Sequence, residues 1–284
     1  MATSEVFKIK LPLDEAMLER LRQNRFESVS IEKCDRQQAR LLRRYLKTSS
    51  LTVWELSSSA LNELIHVEGL TELSVQFLKG RGCLRGRSSL HELVVFCGDR
   101  KTSALDMATL RSGQNLKRLT WRSSLLGDVA VKHLAAMKNL VELDIEDSDF
   151  DDAHAAVLAK ASCRVRKLHL ANTKLTRRGL LSLMQGQDDI EDLDLWGTPI
   201  HSRDLSVLTR LSKLRRLSCG TFEGERHAGR NVIAALRQLP NLEAVELDRI
   251  KLSPDELATV RQLVPAGCWW DEEMEVRVPW PETK

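Results

Sequence analysis

This chain has no CxxC pair, no apolar run approaching a membrane span, and no surplus of one charge sign, and each absence removes a class of protein. The six cysteines, Cys34, Cys83, Cys97, Cys163, Cys219 and Cys268, lie far apart, so paired-thiol zinc and redox motifs are missing. With 284 residues, 42 % of them hydrophobic, the chain is long and core-rich and does not need disulfides. The thiols are therefore read as free, in a reducing compartment. The stretch MATSEVFKIKLPLDE has no apolar h-region, unlike a secretory signal. With no membrane span either, the expectation is a cytoplasmic protein that does not associate with membranes. A net charge of +3 names no partner. Locally the balance is uneven: Lys79 to Arg122 holds ten Lys/Arg against three Asp/Glu, and Asp128 to Lys160 holds three against eight.

Catalytic and cofactor motifs are equally scarce. The histidines show neither HExxH nor C2H2 spacing, and no GxSxG elbow occurs, so no metal site and no catalytic residue are assigned. Two Gly-rich stretches fail as phosphate cradles. In GRGCLRGRS, Gly80 to Ser88, the outer glycines are wrongly spaced and Arg87 replaces Lys. In GERHAGRN, Gly224 to Asn231, Arg230 and Asn231 stand where Lys and Ser/Thr are required. No small-molecule cofactor is expected, and the second stretch reads as an inserted loop.

What is present is a repeat. L-x-x-L-x-L recurs from Leu51 (LTVWEL), Leu70, Leu90, Leu116, Leu140, Val165, Ile190, Leu214 and Leu242, with a weaker copy at Phe26. From Leu116 the starts step by 24, 25, 25 and 24 residues and then by 28. Inside each copy the apolar letters alternate as in a strand. The following turns carry Ser124, Ser148, Thr173 and Thr198, whose hydroxyls are suited to backbone groups, and then apolar Leu126, Phe150, Leu175 and Ile200. Helical spacing follows, most clearly at Ser253-Pro254-Asp255-Glu256, with Ser at the N-cap, Pro at N1 and Glu at N3. The closer starts at Leu51, Leu70 and Leu90 leave room there for a short turn or extended segment rather than a full helix.

The pattern resembles the leucine-rich repeat family over roughly residues 26–265. The resemblance implies an α/β solenoid, an arc with a parallel sheet on its concave side and helices outside. Residues 1–25 and 266–284 are expected to cap its ends, with Trp269, Trp270 and Trp280 as cap packing.

In-register strands place equivalent outward residues in rows about 4.8 Å apart. The third-position row reads Arg118, Glu142, Lys167, Asp192, Arg216, Ala244; its alternating signs suit lateral ion pairing. The fifth reads Thr120, Asp144, His169, Asp194, Ser218, Glu246. It is read as not neutralised, and either as a solvated acidic face or as a docking strip. The seventh reads Arg122, Glu146, Ala171, Trp196, Gly220, Asp248. Trp196 stands proud between small neighbours as a hot spot, or folds over the turn at Gly197-Thr198-Pro199. Val94 and Phe96 form a second outward apolar patch, while Trp54 and Trp121 fall at inward positions and belong to the core. The expected function is recognition of a protein partner with a basic surface, as an inhibitor, immunity-type or adaptor protein. The site comprises Glu142, Asp144, Glu146, His169, Asp192, Asp194, Trp196, Glu246 and Asp248. Two alternatives stay open: a nucleic-acid binder using residues 79–122 with Arg81, Arg85 and Arg87, which the acidic rows oppose, and an enzyme using Asp144, His169 and Asp194.

Overall fold

The computed structural model describes residues 6–79, 89–97, 115–123, 125–220, 222, 224–264 and 267–271. In the first part of the chain lie β1 (Phe7–Ile9), α1 (Glu15–Gln23), β2 (Phe26–Cys34), α2 (Arg36–Tyr45), β3 (Thr48–Ser57), α3 (Ser58–Leu64), β4 (Glu72–Lys79) and β5 (Glu92–Cys97). The middle holds β6 (Arg118–Arg122), α4 (Gly127–Ala135), β7 (Glu142–Asp144), α5 (Asp152–Leu158), β8 (Lys167–His169), α6 (Arg177–Gly186) and β9 (Asp192–Asp194). A 3₁₀ helix at Ser202–Arg210 leads to β10 (Arg216–Gly220), α7 (Ala228–Leu236), β11 (Ala244–Asp248), α8 (Pro254–Leu263) and β12 (Gly267–Asp271).

The strands form one sheet in chain order, and every neighbouring pair is parallel. Parallel neighbours cannot be joined by a hairpin, so each repeat needs its turn and crossover. One inward ladder runs through Leu51, Leu73, Leu93, Leu119, Leu143, Leu168, Leu193, Leu217 and Val245. All nine are buried and share one core with Leu134, Leu158, Leu180, Leu183 and Val232 of the helices. β7, β8 and β9 are short, but pairing continues beyond them: Ile145 N–H donates to the His169 carbonyl (3.0 Å), Leu170 to Asp194 (2.9 Å) and Leu195 to Ser218 (2.8 Å).

Each strand ends on a left-handed residue, Ser123, Asp147, Asn172 or Gly197, with φ of 58°, 56°, 54° and 66°. The chain thereby turns out of the sheet at the same step of each repeat. The hydroxyls of Thr173 and Thr198 then close the turn on the carbonyls of Leu170 (2.8 Å) and Leu195 (2.6 Å). Phe150, Leu175 and Ile200 follow into the core. The capping box expected at α8 forms: Glu256 N–H donates to Ser253 Oγ (3.2 Å), and Ser253 N–H to Glu256 Oε2 (2.9 Å).

Three expectations change. First, Trp54 is not core; it is 57 % exposed, whereas Trp121 is fully buried. The register pairs Leu51 with Val29 and Leu73, so that repeat begins at Thr48 and Trp54 falls on the outward row. Second, the crossover between β3 and β4 is helical, as α3. Third, the segment at Leu205 and Leu208 is 3₁₀ rather than α. Its buried residues Ser202, Leu205, Leu208 and Leu211 recur every third position, the period of the tighter helix. At the ends, β1 and β12 extend the same parallel sheet. The alternation expected at Met274, Val276 and Val278, Trp280, the loop Gly80–Ser88 with Arg81, Arg85 and Arg87, and Ser124 lie outside the described residues.

Leu168 sits in the middle of the inward ladder with no exposed surface. Leu168→Ala should lower unfolding free energy by about 2–5 kcal/mol in urea titrations, as a cavity-forming change does. An unchanged midpoint would place Leu168 outside the core.

Candidate functional site

The helix-free face of the sheet carries the outward rows in the expected register. In the third-position row, Glu142 receives Lys167 Nζ at 2.9 Å, Asp192 receives Arg216 at 2.6 Å, and Arg118 bonds Glu92 of β5. This row neutralises itself, as its alternating signs foretold.

The fifth-position row is partly neutralised, which corrects the sequence reading. The charge comes from the row beside it: Arg122 donates to Asp144 Oδ2 from Nε (2.8 Å) and from its terminal nitrogen (2.5 Å), and reaches Glu146 at 3.1 Å. Arg122 also lies over the Phe96 ring, 5.7 Å from its centroid. His169 stands between carboxylates, with Nδ1 4.0 Å from Asp144 and Nε2 3.8 Å from Asp192. Burial draws its imidazole toward the neutral form, but Asp192, Asp144 and Asp194 outweigh burial and hold its pKa above the ordinary value. Burial likewise opposes ionisation of Asp192, yet His169 and Arg216 hold that carboxyl below its usual range. An open pocket of about 370 Å³ sits here, floored by Leu119, Thr120 and Leu143 and walled by Glu142, Asp144, Lys167 and His169.

Trp196 neither stands proud nor folds over its turn. Its Nε1–H donates to Asp248 Oδ2 at 2.7 Å. β10 lies between Trp196's strand and Asp248's, so the indole crosses β10 at the level of Gly220. A Cβ on Gly220 would come within 2.7 Å of the Asp248 side chain; glycine there allows the close approach that sets Asp248 under the indole nitrogen. Trp196 is half-buried and Asp248 fully buried. The backbone N–H of Trp196 also donates to Asp194 Oδ1 (2.9 Å). Asp194, Glu146 and Glu246 are nearly as buried as Asp248. Of the outward apolar pair on β5, Val94 and Phe96 are both half-buried.

Asp144, Glu146 and His169 bring possible metal-ligand atoms within 4.8 Å of one another. The donor set does not fit a resident cation, because the Arg122 guanidinium already supplies the positive charge between the two carboxylates. Sequence reasoning missed three features of this face: Arg122 as the counter-charge, the Trp196–Asp248 bond, and a contact between exposed Trp54 and Phe77.

Parallel strands in chain order, a leucine ladder and a left-handed exit from successive strands define an α/β solenoid of the leucine-rich repeat type. No protein-family model and no curated protein sequence matches the chain. Solved structures that resemble it include an internalin from Listeria monocytogenes, at 15 % identity, over 93 % of this chain and 80 % of that one, with a TM-score of 0.43. A leucine-rich repeat-containing protein, LegL7, from Legionella pneumophila is 12 % identical over 93 % of this chain and 89 % of that one, with a TM-score of 0.48. TLR13, solved in complex with ssRNA13, is 17 % identical over 84 % of this chain and 37 % of that one, with a TM-score of 0.46.

The raised pKa of His169 has a testable sign. A group whose folded pKa lies above its unfolded value stabilises fully below the unfolded pKa, and that contribution is lost as pH rises through the folded pKa. The stability difference between the parent and His169→Gln should therefore be larger near about pH 5.5 than near about pH 8.5. Equal differences in urea titrations at the two pH values would remove the carboxylates' hold on the imidazole.

Proposed function

We propose that this chain is a non-enzymatic protein-recognition module, an inhibitor, immunity-type or adaptor protein, that docks a partner with a basic surface on the helix-free face of its sheet. Asp144, His169, Asp194 and Trp196 form the centre of the contact. Glu142, Glu146, Asp192, Glu246 and Asp248 surround it, and Val94 and Phe96 form a secondary apolar patch. The repeats proper are residues 26–265, between caps at 1–25 and 266–284.

The observation that carries this reading is the Trp196–Asp248 bond within an acidic field. A hydrogen-bonded indole keeps its orientation before any partner arrives, so little freedom is lost on binding. Its ring is half-buried and presents a face rather than an edge. The fifth and seventh rows together carry Asp144, Asp194, Glu146, Glu246 and Asp248 against Arg122 and the titratable His169, a surplus of negative charge that favours a basic surface. The acidic rows disfavour nucleic acid, whose phosphates they would repel. For an enzyme, Asp144, His169 and Asp194 supply no activated nucleophile: Asp144 is bonded to Arg122 and Asp194 to the backbone of Trp196. Free buried thiols at Cys34, Cys163 and Cys219 fit a cytoplasmic protein. Burial pushes the Cys34 thiol up to about 12 and raises Cys163 and Cys219 as well, which leaves them unreactive. Among the described residues no helix is long and apolar enough to cross a membrane.

Isolation of the partner on immobilised protein, followed by calorimetry with the pure pair, tests the site. Trp196→Ala should cost about 2 kcal/mol or more in affinity with an unchanged melt. The double variant Asp144→Asn, Asp194→Asn should slow association more than it speeds dissociation, and affinity should fall in high salt and in acid as His169 becomes charged. A partner that binds Trp196→Ala as tightly as the parent would move the contact away from this face's centre.

A further inference from the structure

At the carboxyl ends of β3 and β4, Trp54 and Phe77 are 57 % and 44 % exposed, and their ring centroids are 5.6 Å apart at a tilt of 55°. Scattered exposed apolar residues are ordinary; two large aromatics in contact on a rigid sheet form a patch. Their exposure is imposed by the backbone. Val53 and Leu56 are both buried on β3, as are Val75 and Leu78 on β4, so two residues between each pair stay out of the core. Register then places Lys33, Glu55 and Phe77 in one row across β2, β3 and β4. Lys33 and Lys79 both reach the Glu55 carboxylate, at 2.8 and 2.7 Å, with side chains 71 % and 67 % exposed. Two ammonium groups share one carboxylate, so a positive charge is left over beside the aromatic pair.

We propose that Trp54 and Phe77 anchor a protein segment carrying one bulky aliphatic or aromatic side chain with a carboxylate beside it. The side chain covers the tilted rings, and its carboxylate meets Lys33 and Lys79. The charge is opposite to that expected of a partner at the acidic rows around Trp196, so this is a separate contact that stands whether or not that one does. A nucleic acid fits less well: the rings are tilted rather than stacked as a platform, and Glu72 and Glu92 project from the same strands.

The test uses the full isotope-labelled chain and two blocked synthetic peptides with the same central Leu-Phe, one flanked by glutamates and one by lysines. The Trp54 indole resonance, assigned by its loss in Trp54→Ala, should move saturably with the acidic peptide. Binding should be about tenfold or more weaker for the lysine-flanked peptide, and the double variant Lys33→Glu, Lys79→Glu should reverse that preference with an unchanged melt. The Trp196 resonance should stay in place. An unmoved Trp54 resonance, equal response to both peptides, or tighter response to a single-stranded oligouridine would overturn the proposal. A response confined to Trp196 would overturn it while leaving the acidic rows' role intact.

Discussion

The register of the parallel ladder is the constraint on which the rest of this molecule depends. Leu143, Leu168, Leu193 and Leu217 stand side by side on adjacent strands, and a slip of one residue in any of them would turn its leucines to solvent and its charges into the core. Three-residue strands could not hold that register alone. The left-handed residues at Asp147, Asn172 and Gly197 extend it, because Asp147 N–H donates to the Ala171 carbonyl (2.9 Å) and Asn172 N–H to the Trp196 carbonyl (2.7 Å). Buried Gln187 locks the other side of the repeat, donating to the Leu158 and Cys163 carbonyls and accepting from Val165 N–H. Backbone groups that the turns leave unpaired are thus satisfied within the core.

The same register forces like charges together. Asp144 and Asp194 each pair in register with His169, and carboxylates so placed destabilise a sheet unless they are compensated. Compensation comes laterally from Lys167 and Arg216, diagonally from Arg122, and from an imidazole held toward its protonated form. Partial compensation of this kind leaves a directed field without leaving side chains loose.

Much of the fold was legible because leucine at the inward positions has no outward alternative, and the turn residues Thr173 and Thr198 announce where each strand ends. The frame slipped once, at Leu51, for a physical reason. Leu51, Trp54 and Leu56 satisfy the apolar spacing as letters, whereas the true first position is Thr48, a polar residue with no exposed surface. Its hydroxyl lies 3.2 and 3.0 Å from the Glu27 and Ser50 carbonyls and is satisfied there, so burial costs little. Polarity at that position hid the start of the repeat and sent Trp54 into the core on paper. The rows of the candidate site could be read once strands were aligned from Leu116 onward. Contacts between rows could not: Arg122 reaches Asp144 diagonally, and Trp196 reaches Asp248 across an intervening strand, over 52 residues of chain. Both depend on side-chain reach and on the absence of a Cβ at Gly220, which no periodicity encodes.

The ties on this face also limit how a partner can gain affinity from it. Lys167, Arg216, Arg122 and the Trp196 indole nitrogen are already engaged with protein acceptors. A partner that displaced any of them would exchange one charged bond for another, with little net gain. The groups that can add without subtracting are the aromatic faces, at Trp196 near one end of the sheet and at Trp54 near the other, where burial removes apolar surface from water and breaks no bond. The charges around each ring then act as a filter: carboxylates near Trp196 and surplus lysine charge near Trp54 reject opposite kinds of surface. Affinity and discrimination are thereby assigned to different side chains, a separation possible only on a face whose ionic groups are held in place before binding.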